Sequence, residues 1–241
     1  MKNCIITGAS GDIGREIAKT MHEAGYSLIL LYHKNDKGIK KLENELAHAN
    51  LSIYQCDLTS HEAIEDLMKD IKKKFKTIDC LINNAGISLF KQIQDTTITD
   101  YENIINTNLK SVIFMTKHVS KMMISDQYGR IINISSMWGR VGASMESLYS
   151  ASKGAINTLT KALAKELGPS HITVNAICPG LIDTKMNKKL SVESKQDIIN
   201  NTPLSRIGTP QDVANLVEFL ASDKASFITG QIISVDGGYS I

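Results

Sequence analysis

The stretch Asn3-Cys4-Ile5-Ile6-Thr7-Gly8-Ala9-Ser10-Gly11-Asp12-Ile13-Gly14 decides how the rest of the chain is read. A short apolar run passes directly into a glycine-rich turn, and an amphipathic pattern begins at Ile13. Glycines at such a junction let the backbone turn tightly and come close to a pyrophosphate resting on the N-terminus of the following helix. A plain structural turn would contain the same glycines. The position between a first strand and a first helix is what favours the nucleotide reading.

The strand–helix alternation continues outward from this stretch to the end of the chain. Sequence patterning predicts strands over 3–7, 27–32, 52–56, 79–82, 130–134, 173–177 and 232–235. Helices are predicted near 13–24, 37–48, 60–75, 100–124, 148–167 and 210–221. Most of the strands are continuously apolar, as expected where helices cover both faces of a parallel sheet. The expected fold is α/β: one doubly wound (Rossmann) domain over residues 1–241 with a seven-stranded parallel sheet. Only 184–205, polar and helical in pattern, breaks the rhythm. It falls late in the chain, where a lid over a bound cofactor and substrate is expected.

Bulk properties exclude more than they assign. The 241 residues are 42% hydrophobic and 22% charged, with a net charge of +2, giving no electrostatic reason to expect nucleic acid or an anionic membrane. No run approaches the roughly 18 apolar residues of a membrane span. The strand-like start leaves no room for a signal peptide. Cys4, Cys56, Cys80 and Cys178 lie far apart in apolar runs without metal-ligand spacing, so they read as reduced core residues. The expectation is a cytoplasmic protein without a metal site.

A second chemical signal is Tyr149-Ser150-Ala151-Ser152-Lys153. Residues four apart on a helix share a face, which places a phenol and an ammonium in one volume. A free phenol has a pKa of about 10 and is a poor proton donor at neutral pH. A nearby lysine stabilises the phenolate, and lowering the pKa to ~7 needs about 4 kcal/mol of differential interaction. Alone, this spacing occurs by chance in many helices. Ser136 adds a hydroxyl just beyond the predicted fifth strand, where parallel sheets place their ligands, and Asn83-Asn84-Ala85-Gly86 follows the fourth strand in the same way.

Taken together, Thr7-Gly8, Gly14, Asn83-Asn84-Ala85-Gly86, Asn108, Ser136, Tyr149, Lys153 and Pro179-Gly180 resemble the short-chain dehydrogenase/reductase family, in order and over the whole chain. The resemblance implies that Tyr149 is the general acid/base and that Ser136 holds and polarises the carbonyl oxygen. It implies that Lys153 binds the nicotinamide ribose and depresses the tyrosine pKa, and that Asn108 holds a proton-relaying water. Chemistry supports these roles, because hydride adds to a carbonyl carbon while a positioned acid protonates the developing alkoxide.

For the cofactor, the resemblance places Gly8, Ser10, Gly11, Asp12, Ile13 and Gly14 at the phosphates. Asp57 and Leu58 meet the adenine, Asn84, Ala85 and Gly86 line its ribose, and Pro179, Gly180, Ile182 and Thr184 approach the carboxamide. Two plainer readings stay open: Asp57 as the cap of the next helix, and Asn84 as a brace for the sheet. The second strand ends in His33-Lys34 rather than an acid, which favours NADP(H) over NAD(H). Asp12 departs from the family fingerprint, where a glycine is usual. It could cap the first helix, or it could oppose a nearby pyrophosphate.

Across its length the chain resembles bacterial 3-oxoacyl-acyl-carrier-protein reductases. Their basic carrier-docking positions read Asp126-Gln127 and Ser170-His171 here. Locally, Ser135-Ser136-Met137-Trp138-Gly139, Gly142-Ala143-Ser144 and Thr229-Gly230-Gln231-Ile232 resemble the elongation factor P 5-aminopentanone reductases. That local likeness points to a ketone substrate carried on a protein, with fatty-acid synthesis as the alternative. A non-catalytic NADP sensor is a third reading, and an intact Asn108/Ser136/Tyr149/Lys153 set argues against it. The family implies a homotetramer or homodimer, and apolar positions over 159–167 suit a helix–helix interface.

Overall fold

The computed structural model describes every residue except His48, and all side chains except those of Lys188 and Lys189. The chain alternates β1 (Asn3–Thr7), α1 (Asp12–Glu23), β2 (Ser27–Tyr32), α2 (Asp36–Glu45), β3 (Leu51–Gln55), α3 (His61–Lys74) and β4 (Cys80–Asn83). It continues through α4 (Ile98–Ile105), α5 (Ser111–Asp126), β5 (Gly129–Ile134), α6 (Trp138–Val141), α7 (Ser147–Leu167) and β6 (Ile172–Pro179). The last elements are α8 (Val192–Asn200), α9 (Pro210–Ala221) and β7 (Ile232–Val235). All seven strands form one sheet in the order β3-β2-β1-β4-β5-β6-β7, and every pairing is parallel.

The continuous apolar strands are explained by burial on both faces. Along β1 and β2, Ile6, Leu28 and Leu30 enter the core under α1 and α9. Their neighbours Ile5, Ile29 and Leu31 enter the core under α3 and α5. Successive side chains of a strand point to opposite faces, so two apolar layers demand apolar residues at every position. Each such side chain contributes roughly 1.5–3 kcal/mol by leaving water.

The strand order reverses between β1 and β4, opening a crevice beyond their carboxyl ends, where doubly wound sheets bind ligands. The predicted second helix ends earlier than expected, at Glu45, and His48 lies outside the described residues. Residues 100–124, read as one helix, are instead α4 and α5 joined by a π-helical turn over Asn106–Lys110. No glycine or proline marks this break. The wider turn is held by tertiary contacts of Asn108, described below.

Candidate active site

The carboxyl end of β5 and the first turns of α7 bring the reactive side chains together. β5 runs into Ser135 and Ser136, whose backbone is carried forward by the Ser135 amide on the Ile177 carbonyl, at 2.7 Å. The Ser136 hydroxyl accepts from the Trp138 amide at 3.1 Å and lies beside the Tyr149 phenol. Ser135 is committed elsewhere, because its hydroxyl donates to the Lys153 carbonyl at 3.0 Å. One helical turn after Tyr149, the Lys153 ammonium lies 5.8 Å from the phenol ring centre and donates to the Ile134 carbonyl at 2.8 Å.

Asn108 completes the group from the π-helical turn, a device common at functional sites. Its amide nitrogen donates to the Ile87 carbonyl at 2.9 Å and to the Ser152 hydroxyl at 3.1 Å. Its carbonyl oxygen accepts the Ile87 amide at 2.9 Å. These contacts repay the unwound backbone and explain why sequence periodicity did not reveal it. Gly86 borders the same space: a Cβ there would lie 3.4 Å from both the Asn108 carbonyl oxygen and the Lys153 ammonium.

Burial dominates the acid–base balance of this space. It pushes the Tyr149 phenol up to about 12, against the opposing influence of the Ser136 hydroxyl and reinforced by Glu146. The same burial pulls Lys153 down to about 8. The expectation that Lys153 depresses the Tyr149 pKa is therefore not met in this geometry. The ammonium is spent on the Ile134 carbonyl, and desolvation penalises both charged forms.

A different set of contacts shapes the first glycine loop. Gly8 adopts a φ of +66°, and a Cβ there would press on the Ala85 Cα at 2.9 Å. Only glycine lets the loops after β1 and β4 pass this closely. The Thr7 hydroxyl clamps them by accepting the amides of Asn84 and Ala85 at 2.9 and 3.0 Å. The Asn84 side chain donates to the carbonyls of Thr7 and Gly8, at 3.0 and 3.2 Å. Asn84 thus braces the loop that Ser10, Gly11, Ile13 and Gly14 form.

Asp12 does not cap α1. Gly11 occupies the N-cap position without a side-chain acceptor, and the Asp12 carboxylate accepts the backbone amide of Lys185 at 2.7 Å. Lys185 begins a short 3₁₀ turn directly after Thr184, so the contact joins the glycine loop to the start of the 184–205 segment. Nearby, Ile182 is buried and pairs with Gly208, and Gly180 packs its backbone against Asp236.

At the end of β2, His33 and Lys34 are exposed. The His33 Nε2 lies 3.7 Å from an Asp57 carboxylate oxygen. Asp57 also accepts the Thr59 amide and hydroxyl at 3.0 and 2.7 Å. Although partial burial works against ionisation, these bonds and the charges of His33 and Lys34 hold its carboxyl below the usual range. Asp57 is not the cap of α3, because Ser60 takes that place by accepting the Ala63 amide. Leu58 is half-buried beside it.

With this geometry in hand, the comparisons are decisive. The family model described as enoyl-(acyl carrier protein) reductase matches residues 8–240. The Bacillus subtilis (strain 168) protein named uncharacterized oxidoreductase YmfI is 39% identical over 241 residues, spanning 99% of this chain and 98% of its own. The 3-oxoacyl-[acyl-carrier-protein] reductase FabG of Rickettsia felis is 40% identical over 240 residues, covering 98% and 96% of the two chains. The chain belongs to the short-chain dehydrogenase/reductase family. A crystal structure from Agrobacterium tumefaciens, provisionally named a gluconate dehydrogenase, matches this dehydrogenase/reductase with a TM-score of 0.96 at 30% identity, covering 99% and 96%.

Membership makes this short-chain dehydrogenase/reductase an oxidoreductase of alcohol or ketone groups that uses a nicotinamide cofactor. Its residues fit that group. The first turn of α1 has no side-chain acceptor at its N-cap, leaving its amides to an anion. The glycine loop also has no Cβ to obstruct a close approach at Gly8, Gly11 or Gly14.

Two residues of the site escaped the sequence reading. Asn35 joins the end of β2 to the glycine loop: its amide nitrogen donates to the Ser10 carbonyl at 2.8 Å, and its oxygen caps α2 through Gly38 at 3.0 Å. An asparagine directly before a helix was the available signal. Gly139 lets α6 touch α7, since a Cβ there would lie 2.7 Å from the Lys153 carbonyl carbon. No local pattern announces that contact. A separate cavity of about 550 Å³, lined by residues including Leu181, Thr202, Leu204, Arg206 and Asp236, contains none of the four reactive residues.

Proposed function

We propose that this protein is an NADPH-dependent ketone reductase in which Tyr149 is the general acid/base. The observation that carries the reading is the convergence of Tyr149, Ser136, Lys153 and Asn108 beyond the carboxyl end of β5. The bound cofactor would supply the hydride. Ser136, beside Tyr149, holds the carbonyl oxygen, and the phenol delivers a proton to the alkoxide that develops there. Lys153 positions the cofactor ribose. Asn108, fixed by Ile87 and Ser152, holds the water through which the phenol is reprotonated.

Preference for NADPH is supported by two exposed basic side chains, His33 and Lys34, where an acid would be needed to hold a ribose 2′-hydroxyl. The Asp57 carboxylate near His33 offsets part of that charge, so Lys34 carries the larger share. The 184–205 segment acts as the lid, tethered at its start to Asp12. The four cysteines are free and buried, which suits the reducing cytoplasm. The exposed face of α5 carries Ile113 and Ile124, and Phe227 and Ile241 are fully exposed near β7. These surfaces support assembly into a homotetramer or homodimer.

The proposed substrate is a ketone carried on a protein, of the kind found as the aminopentanone of elongation factor P. Trp138, whose amide donates to the Ser136 hydroxyl at 3.1 Å, meets Tyr239 edge-on at 5.6 Å. Asp126, Gln127, Ser170 and His171 offer little positive charge to an acidic acyl carrier. A second reading, 3-oxoacyl-carrier reduction, is favoured by the relatives that bear that name. Measuring kcat/KM for an acetoacetyl carrier and for ketone-modified elongation factor P at two salt concentrations separates them. Efficient, strongly salt-sensitive turnover of the carrier substrate would establish the second reading and reject the first.

A further inference from the structure

Away from the reactive site, α3 and α5 bring His61, Glu65 and His118 together. One ligand atom from each lies within 4.8 Å of the other two. His61 and Glu65 stand one turn apart on α3, with Nε2 and Oε1 separated by 3.4 Å. A tetrahedral zinc with nitrogen and oxygen ligands at about 2.0–2.2 Å requires ligand–ligand separations of about 3.3–3.5 Å. One edge of such a polyhedron is thus already set. His118 approaches from α5, its ring centre 6.2 Å from that of His61.

Two further observations point to a ligand rather than to simple packing. The His118 Nε2 and the His61 Nδ1 are both buried without a hydrogen-bond partner, and buried polar atoms ordinarily find one. A tilted contact with Phe114, 4.6 Å between ring centres, packs the His61 ring beside it.

We propose that His61, Glu65 and His118 form a divalent-cation site of the zinc class, with water completing the coordination. Two imidazoles and one carboxylate are a donor set suited to zinc. The site bridges α3 to α5 and lies apart from the groups assigned to reduction, so its occupancy staples two helices without entering the chemistry. Lys72, Lys117 and Lys121 repel a cation there and make the Glu65 carboxylate indispensable.

Isothermal titration of untagged, chelator-treated protein with zinc chloride tests this. The expected result is one zinc ion per chain, with affinity falling at least about tenfold in His118→Ala and again in Glu65→Gln. Cobalt(II) provides an independent readout: a tetrahedral site gives intense visible bands, expected in the wild type and absent from His61→Ala. The cofactor-binding affinity of all three variants should stay unchanged. No zinc uptake by the wild type, or equal uptake by the wild type and His118→Ala, would overturn the proposal. Loss of stability in the variants without any wild-type metal uptake would mean that the three residues serve packing alone.

Discussion

The carboxyl ends of β5 and β2 are built on opposite principles. At β5, Ser136, Lys153 and Asn108 are buried, and backbone partners hold them: the Trp138 amide, the Ile134 carbonyl and both polar groups of Ile87. At β2, His33 and Lys34 are exposed, and the nearest charged partner of His33 stands 3.7 Å away. The reactive end must hold a geometry that catalysis tolerates only within narrow limits. If the proposed NADPH preference holds, the end of β2 has only to present charge to a phosphate, which flexible side chains can do. The proposal thus rests reaction type on the rigid region and cofactor choice on the loose one.

The buried ammonium of Lys153 should give the largest signature of this contrast. Its pKa is held at about 8, below the ordinary 10.5. Between these values the unfolded chain binds a proton that the native protein has lost, so stability should rise with pH across this window. The penalty at lower pH is at most about 3 kcal/mol, from roughly 1.4 kcal/mol per pH unit. Urea melts of the wild type and Lys153→Met should show that slope and its disappearance. Tyr149, at about 12 against an ordinary 10, should act oppositely, lowering stability as pH rises from 10 to 12. A flat profile from pH 8 to 10.5 in the wild type would mean that the site is wetter than its geometry indicates.

Beneath the reactive site, Asn133 joins β5 to its surroundings, accepting from the Asn83 amide at 2.9 Å and donating to the Thr160 hydroxyl at 2.9 Å. Replacing it with alanine removes both bonds, leaving Asn83 with Thr116 and Thr160 with the Ile156 carbonyl, at a cost of about 1–3 kcal/mol. The check is the urea midpoint, read at constant m-value. At the β2 end, replacing both His33 and Lys34 by glutamate should lower the NADPH-over-NADH preference at least about tenfold, measured as a ratio of kcat/KM. Stability should hardly move, because neither side chain packs.

The smallest effect is expected at Asp12, whose exposed bond to the Lys185 amide joins the glycine loop to the 184–205 segment. A hydrogen bond of this kind contributes about 0.5–1.5 kcal/mol. Asp12→Gly should therefore speed hydrogen exchange at the Lys185 amide by roughly 2- to 10-fold. NADPH should bind no tighter, since the carboxylate is bonded to the Lys185 amide. Tighter binding in calorimetry would restore repulsion of the pyrophosphate as the main role of Asp12.

Much of this was legible in the sequence for a simple reason. Continuous apolar strands such as Cys4-Ile5-Ile6 exist only where both faces are covered, so parallel layering is written in them. Tyr149 and Lys153 could be paired because helical spacing is a local rule. Nothing local reports the π-helical turn at Asn108, because its cause is Ile87, distant in sequence and brought near by the fold. Nor could spacing show Asp12 reaching Lys185, or Gly139 admitting α6 against α7. The sign of the Tyr149 shift was missed for a related reason: proximity of a lysine can be read from sequence, whereas burial and the competing Ile134 carbonyl cannot.

The central claim is that Tyr149 donates the proton in NADPH-dependent ketone reduction. Single-turnover stopped flow, following nicotinamide absorbance with a panel of ketones, tests it most directly. The wild type should oxidise NADPH with at least one ketone, and faster than it oxidises NADH. Tyr149→Phe should bind NADPH with similar affinity yet transfer hydride ~10²–10⁴-fold more slowly, as loss of a positioned acid requires. Hydride transfer at the wild-type rate in Tyr149→Phe, or tight NADPH binding by the wild type without oxidation by any ketone, would contradict the account.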